Sequence, residues 1–448
     1  MAMTERLAFW GPRDRWSHAE LDRRAAELAA RLAGDTSPVL LWGHKQPELV
    51  AAMLAAHRAG RPYVPVDSAV PAERLMRIAA IARPGDVIAA EPLPVPRELL
   101  VADAAPAAPG LAYILFTSGT TGDPKGVQIP HAALDHFAGW LRDSQGLLPG
   151  EEVFLNQAPF HFDLSVMDLY GALRTGGTIF AVERDEVADP RRLFARLSGA
   201  PVTVWVSTPS FARLALAEPG FGAAMLPRLR RFLFCGEPLR ADLARALIAR
   251  FPGCEVWNTY GPTETTVAVT LVRITADMAD PLPVGRPAPG MEVWVGEDGE
   301  LTIAGPQVGL GYLGAATGGY CRLPDGRPAY RTGDLGHVGE DGLLYCDGRL
   351  DRQIKLNGYR LELEEIEASL RALPGVADAG VVAAMRGGRP DHLVAFVVTS
   401  VPPQELRAAL ARKLPAYALP RHYRAVERLP LTVNGKLDRR ALEDVVAR

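Results

Sequence analysis

Apolar and polar positions alternate along the chain in two rhythms, one of helices and one of short strands. Ser17 to Glu20 reads as a capping box, and Leu21, Leu28 and Leu32 follow near helical spacing, so a helix is predicted over about 17–33. VLLW at 39–42 reads as a buried strand, Pro47 to Gly60 as an alanine-rich helix closed by glycine, and YVPV at 63–66 as a second strand, together a βαβ unit. The alternation continues through YILF (113–116), a helix after His131, VTVWV (202–206), FLF (232–234), a helix over 240–251 and EVWN (255–258). Parallel sheets covered by helices follow from such a pattern, with ligands at the carboxyl ends of the strands.

Two changes of rhythm come later. From about 283 to 347 short strands alternate with GE, DG and GG turns, as in a smaller β subdomain. After Gly348 come a short loop, the helix ELEEIEASLRAL, strands over 379–384 and at LVAFVV, and a helix over 403–414. The predicted fold class is α/β: a large N-terminal domain of layered α/β subdomains plus a β subdomain (1–348), followed by a small α+β C-terminal domain (349–448). The alanine- and proline-rich stretch 92–109 reads as a surface connection between subdomains.

Composition narrows the function. The chain has 448 residues, 48% hydrophobic and 23% charged, enough for more than one core. A net charge of -3 and the lack of a Lys/Arg tract beside aromatics argue against nucleic acid as a partner. No apolar stretch of signal-peptide or membrane-spanning length occurs, so no membrane partner is expected and the expected location is cytoplasmic. Cys235, Cys254, Cys321 and Cys346 lie too far apart for a zinc site and read as buried free thiols. Only five of the 49 basic residues are Lys, and three of them (Lys125, Lys355 and Lys436) fall in glycine-bearing loop motifs.

The strongest local motif is TSGTTGDPKG, Thr117 to Gly126, directly after the strand YILF. Its glycines allow close backbone approach, and its hydroxyls, N–H groups and Lys125 suit phosphate oxygens. It is not a Walker A loop, because Gly126 rather than Ser or Thr follows the lysine. NTYGPTE at 258–264 adds nucleotide-binding parts: Tyr260 to stack on a base, Asn258 to pair with its edge, Thr263 to contact a phosphate and Glu264 to hold magnesium. YRTGD at 330–334 places Asp334 in a glycine turn, where a carboxylate can accept both ribose hydroxyls. Charges surround Gly358 in GRLDRQIKLNGYRLELEE, and NGK presents Lys436 on a turn.

In this order, with AGRPYVPVD at 59–67 and GELTIAGPQVGLGYL at 299–313, these motifs resemble the adenylate-forming superfamily over nearly the whole chain. That superfamily includes the adenylation domains of nonribosomal peptide synthetases, acyl-CoA synthetases and luciferases. The resemblance implies an ATP site formed by Thr117, Ser118, Gly119, Thr120, Thr121, Lys125, Gly236, Glu237, Asn258, Tyr260, Gly261, Asp334 and Arg349, with Thr263 and Glu264 catalytic. Within the family, Asp163 of FDLSVMDLY occupies the aspartate position that pairs with a substrate ammonium in the amino-acid-activating branch; taken alone, it reads as a helix cap. The pocket lining carried over from the family is Leu164, Met167, Val206, Leu233, Cys235, Thr259, Val267 and Ala268, uncharged throughout. With the runs VSTPSF, FLFCGE and NTYGPTE, this looks most like the D-alanine:D-alanyl-carrier-protein ligases. His161 is close enough to Asp163 to line the entrance.

The implied reaction is attack of an amino-acid carboxylate on the α-phosphorus of ATP, expelling pyrophosphate, with magnesium and Lys436 neutralising the charge that builds on oxygen. Lys436 would come from a mobile C-terminal domain turning about the hinge Asp351, so that Asn357, Gly358 and Tyr359 replace it and admit a pantetheine thiol. The chain runs twelve residues past Lys436, and the acceptor is expected to be a separate phosphopantetheinyl carrier protein, with coenzyme A as the alternative. Alanine of either hand is expected, with glycine or serine as alternatives, for cell-wall polymers or for natural-product assembly. The opposing reading is a nonenzymatic nucleotide-binding scaffold; the intact Lys125, Asp163, Glu264, Asp334 and Lys436 argue against it.

Overall fold

The computed structural model describes residues 6–119, 123–315, 318–350, 353–356, 358–386, 389–431 and 437–447. Its first long helix, His18–Leu32, is opened by the expected capping box: the Glu20 N–H donates to Ser17 Oγ, and the Ser17 N–H donates to the Glu20 carboxylate at 2.7 Å. The helix buries Leu21, Ala25, Leu28 and Leu32. Strands fall at Val39–Trp42 and Tyr63–Val66, flanking the helix Pro47–Arg58. They pair in parallel, as a βαβ unit requires.

The chain divides into two compact units: Met1–Asp67, Ala82–Leu115 and Gly126–Leu350 in one, and Ser68–Ile81, Phe116–Lys125 and Asp351–Arg448 in the other. The first unit is built on three sheets. The largest has nine strands, ordered Arg286–Pro287, Thr270–Ile274, Glu255–Tyr260, Arg231–Phe234, Val204–Ser207, Val153–Asn156, Thr178–Ala181, Leu7–Trp10 and Arg15–Ser17. The six from Glu255–Tyr260 to Leu7–Trp10 are parallel. Their side chains alternate between two cores. Phe154, Val204, Val206 and Leu233 face one core with the helix Leu164–Thr175, while Leu155, Trp205, Phe232 and Phe234 face the other.

The second sheet runs Tyr312–Leu313, Lys125–Pro130, Leu111–Thr117, Tyr63–Val66, Val39–Trp42 and Asp86–Ala89. The stretch 92–109 therefore joins two strands of one sheet, Asp86–Ala89 and Leu111–Thr117, and not two subdomains. It carries a helical turn, Arg97–Leu100, whose Leu100 is buried. The strand expected at 202–206 is Val204–Ser207 instead, with Thr203 at its threshold: its N–H donates to the Val153 carbonyl at 2.9 Å, and its hydroxyl donates to Glu152 at 2.6 Å. The third sheet holds Glu292–Val295, Glu300–Ala304, Pro328–Val338, Tyr320–Arg322 and Leu344–Arg349.

In the second unit, Val376–Arg386 and Arg389–Thr399 form an antiparallel pair, and His422–Ala425 joins the latter in parallel. Leu393, Ala395 and Val397 pack with Ile366 and Leu370 of the helix Leu363–Arg371 and with Leu406 and Leu410 of the helix Pro403–Leu410. Val394 and Phe396, on the opposite face, pack with Leu442 of the helix Arg439–Ala447. Arg74 reaches the buried Glu365 at 2.5 Å, and Arg77 donates to the Lys413 carbonyl at 3.0 Å. Among the described residues no helix is long and apolar enough to cross a membrane.

Candidate active site

The parallel strands of the nine-stranded sheet end together, and the family-implied pocket residues lie at those ends. Val206 and Leu233 are register partners, and Cys235 follows the strand Arg231–Phe234 directly. Leu164 and Met167 come from the helix Leu164–Thr175, which covers this face. These residues, with Val267 and Ala268, belong to one buried core, and Thr259 is buried beside them, its hydroxyl donating to the Phe234 carbonyl at 2.8 Å. None carries a charge.

The wall at 266–268 is held in an unusual backbone. Thr266 and Val267 have φ of +61° and +69°, a left-handed region that a β-branched residue rarely adopts. Local bonds hold it there: Thr266 Oγ1 donates to the Gln307 carbonyl at 2.8 Å, and Cys235 Sγ donates to the Val267 carbonyl at 3.5 Å. Gly261 lies against this turn; a Cβ there would stand 2.7 Å from Ala268 Cα, so only glycine lets the two backbones pass. Strain of this kind is stored where the surrounding structure over-determines it, often at functional sites.

Asp163 stands at the N-terminal end of Leu164–Thr175, but its side chain makes no capping hydrogen bond. It accepts instead from Thr263 Oγ1 at 2.6 Å, across 100 residues of sequence. The helix-cap reading fails on that geometry. Thr263 and Glu264 lie in the short 3-10 turn Thr263–Thr265 after the strand Glu255–Tyr260. Glu264 is fully buried, and its Oε1 accepts from the Tyr312 hydroxyl at 2.6 Å, with the Tyr330 hydroxyl 3.0 Å from that of Tyr312. Sequence reasoning missed Tyr312, although it stands in the quoted run GLGYL; no local signal marks which carboxylate a tyrosine will meet.

A second chain of bonds joins Tyr260, Asp334 and Arg349. Tyr260 donates to Asp334 Oδ2 at 2.7 Å, and Arg349 Nη1 donates to Oδ1 at 2.6 Å. Burial and the adjacent Asp334 carboxylate push the Tyr260 phenol well above its ordinary pKa, so it remains a donor. Asp334 is not in a turn, as expected, but inside the strand Pro328–Val338. The register slips there: Thr302 pairs with Arg331 and Glu300 with Leu335, and Gly333 takes φ +73°. The bulge re-aims Asp334 within a continuing ladder. Each carboxylate oxygen has two lone pairs, so Asp334 keeps acceptor capacity beyond Tyr260 and Arg349.

Other candidates are placed less fully. Asn258 Nδ2 donates to the Pro283 carbonyl at 2.8 Å, and Glu237 Oε2 accepts from the Ser210 N–H at 3.0 Å, next to Gly236. In the second unit, Ser118 Oγ donates to the Arg360 carbonyl at 3.1 Å, Thr117 Oγ1 is buried without a hydrogen-bond partner, and Gly119 is buried. Lys125 opens the strand Lys125–Pro130, Gly358 has φ +86°, and Tyr359 stacks on Tyr417 at 3.9 Å. Thr120, Thr121, Asp351, Asn357 and Lys436 lie outside the described residues. Among the described residues no group of three or more His, Cys, Asp or Glu is arranged to hold a metal alone. Glu264 nevertheless fits magnesium, which takes one or two carboxylates and completes its shell with phosphate oxygens and water.

Residues 2–313 match the family of AMP-binding enzymes, and residues 365–436 match the AMP-binding enzyme C-terminal domain. A D-alanine--D-alanyl carrier protein ligase of Bacillus mycoides is 41% identical over 470 residues, covering 94% of this chain and 92% of the relative. One from Staphylococcus epidermidis is 39% identical over 469 residues, covering 99% and 96%. Among solved structures, the Vibrio cholerae adenylation domain AlmE in complex with glycyl-adenosine-5'-phosphate is similar with a TM-score of 0.84 and 25% identity, over 99% of this chain and 95% of that one. Strand ends bearing an uncharged pocket, the motif order and these near-full-length likenesses agree: the chain belongs to the AMP-binding enzyme family.

Proposed function

We propose that the protein uses ATP to convert alanine, in the D form, to alanyl-AMP and then passes the alanyl group to the phosphopantetheine thiol of a separate carrier protein in the cytoplasm. The observation that carries this reading is the Asp163 carboxylate, bonded by Thr263 at 2.6 Å beside buried, uncharged pocket residues. A carboxylate there suits the α-ammonium, and the apolar walls suit a small side chain. The names of the relatives from Bacillus mycoides and Staphylococcus epidermidis support D-alanine and the carrier protein. Glycine is the second reading, favoured by the glycyl adenylate bound to AlmE.

Asp334 and Tyr260 would serve the nucleoside, and the loop 117–126 its phosphates. Thr263, bonded to Asp163 and one residue from Glu264, would couple the amino-acid and phosphate ends of the site. Magnesium, held by Glu264, would supply charge neutralisation at the phosphates. Lys436 would contact the amino-acid carboxylate and the α-phosphate in the first step. Residues 1–348 would then form the adenylation core and 349–448 the mobile domain, with Asp351 as hinge and Asn357, Gly358 and Tyr359 guiding the thiol.

Amino-acid-dependent ATP–pyrophosphate exchange tests the reading. D-alanine is expected to give the highest kcat/KM of a panel containing L-alanine, glycine, both serines and several larger acids. Exchange only with a bulky or charged acid would overturn it. The pocket makes a second prediction, because Met167 is fully buried against this wall. Met167→Ala is expected to raise exchange with valine relative to alanine by roughly tenfold, the scale on which a methylene-sized change discriminates apolar substrates. The same change should lower stability by about 2–5 kcal/mol, read as a lower thermal midpoint.

A further inference from the structure

One buried cation in the first unit has no part in the reaction proposed above. Lys45 follows the strand Val39–Trp42 and is 2% exposed. Its Nζ donates to three backbone carbonyls: Asn156 at 3.0 Å, Gln157 at 2.6 Å and Val182 at 2.6 Å. Burial pushes its pKa down to about 7, while Asp168 and Asp67 push it back up. The geometry decides the charge state. Three carbonyl acceptors require three N–H donors, which an ammonium has and a neutral amine lacks.

The carbonyls that Lys45 holds are not arbitrary. Asn156 ends a central strand of the nine-stranded sheet, and Val182 follows its neighbour Thr178–Ala181. From Asn156 the chain runs through Gln157, Ala158 and Pro159 to Asp163. The Asn156 side chain extends the hold, donating to the Ala158 carbonyl at 3.2 Å and to Asp168 Oδ1 at 2.8 Å. Asp168 is fully buried on the helix that also carries Leu164 and Met167. At the far end, Ser165 Oγ donates to the Phe162 carbonyl at 2.7 Å. The connection is thus pinned at both ends, and the cation pins its start.

We propose that Lys45 is a positioning residue for the amino-acid site: by clamping Asn156, Gln157 and Val182, it fixes the origin of the loop that delivers Asp163. The proposal rests on the reading of Asp163 as the ammonium partner. Lysine suits the task because its thin stem reaches three converging carbonyls with a compact three-donor head, which arginine's planar fork does not. A loop anchored loosely would let the Asp163 carboxylate wander from the ammonium, and misplacement by about 1 Å can cost 10²-fold.

The test uses the full-length chain with Lys45→Met, Lys45→Gln and Asn156→Ser. Lys45→Met is expected to raise the KM for alanine in pyrophosphate exchange by at least about tenfold while the KM for ATP stays within about twofold. Lys45→Gln, with two donors, should fall between it and the unsubstituted enzyme. A fold-stabilising role alone would lower the active fraction and leave the KM for alanine unchanged, and that result would overturn the proposal. If Lys45→Met does not fold, Lys45→Gln and Asn156→Ser decide by the same criterion. Hydrogen exchange of the peptide spanning 157–163 separates this idea from the proposed reaction. Faster exchange confined to that peptide in Lys45→Gln supports the clamp even if no amino acid proves to be a substrate, and unchanged exchange there overturns it.

Discussion

Asp163→Ala should raise the KM for alanine by roughly 10²-fold and leave the KM for ATP nearly unchanged. Removing one partner of a buried charge pair costs about 3–5 kcal/mol, and Asp163 is only half-buried, so the lower end of that range applies. The loss should fall on the amino acid because the carboxylate, held by Thr263 Oγ1 at 2.6 Å, is the group proposed to meet the substrate ammonium and not the nucleotide. Thr263→Val should show a smaller effect in the same direction, roughly tenfold, since a hydrogen bond to a charged group contributes about 1.5–3 kcal/mol. Steady-state exchange with each substrate varied in turn measures both. An Asp163→Ala enzyme with an unchanged KM for alanine would remove the ammonium role.

Lys436→Ala should slow alanyl-AMP formation by roughly 10²–10³-fold, the scale on which removing one group aimed at developing charge affects kcat. The reasoning is chemical. Attack of a carboxylate on the α-phosphorus gathers negative charge on oxygen, and Lys436 is the cation proposed to neutralise it. Transfer from preformed alanyl-AMP to the carrier thiol should keep nearly its original rate, because that step expels AMP and uses no new bond to the α-phosphorus. Single-turnover measurements of the two half-reactions separate them. Equal slowing of both would assign Lys436 a role in domain movement rather than in charge neutralisation.

Much of the architecture was legible because its signals are local. The capping box at Ser17–Glu20, the buried runs VLLW and YVPV, and the Val/Leu alternation in LVAFVV each depend on residues a few positions apart. The same holds for the motifs, whose glycines and hydroxyls stand side by side. Where local rules mislead, a tertiary partner has overridden them. TGD looks like a turn, yet the neighbouring strands Glu300–Ala304 and Leu344–Arg349 keep it in a ladder and convert the glycine into a bulge. The loop-like stretch 92–109 looks like a divider, yet its ends belong to one sheet.

By itself, then, the sequence determined the alternation of strands and helices, the family motifs and the uncharged character of the pocket. Pairing was decided only in three dimensions. Thr263 meets Asp163 across 100 residues, Tyr260 meets Asp334 across 74, and Lys45 meets Asn156 across 111. Strand order sets such distances, and strand order is the collective outcome of burying two faces of one sheet. The choice of partner for each polar side chain follows from which strand ends arrive together, which no window of neighbouring residues contains.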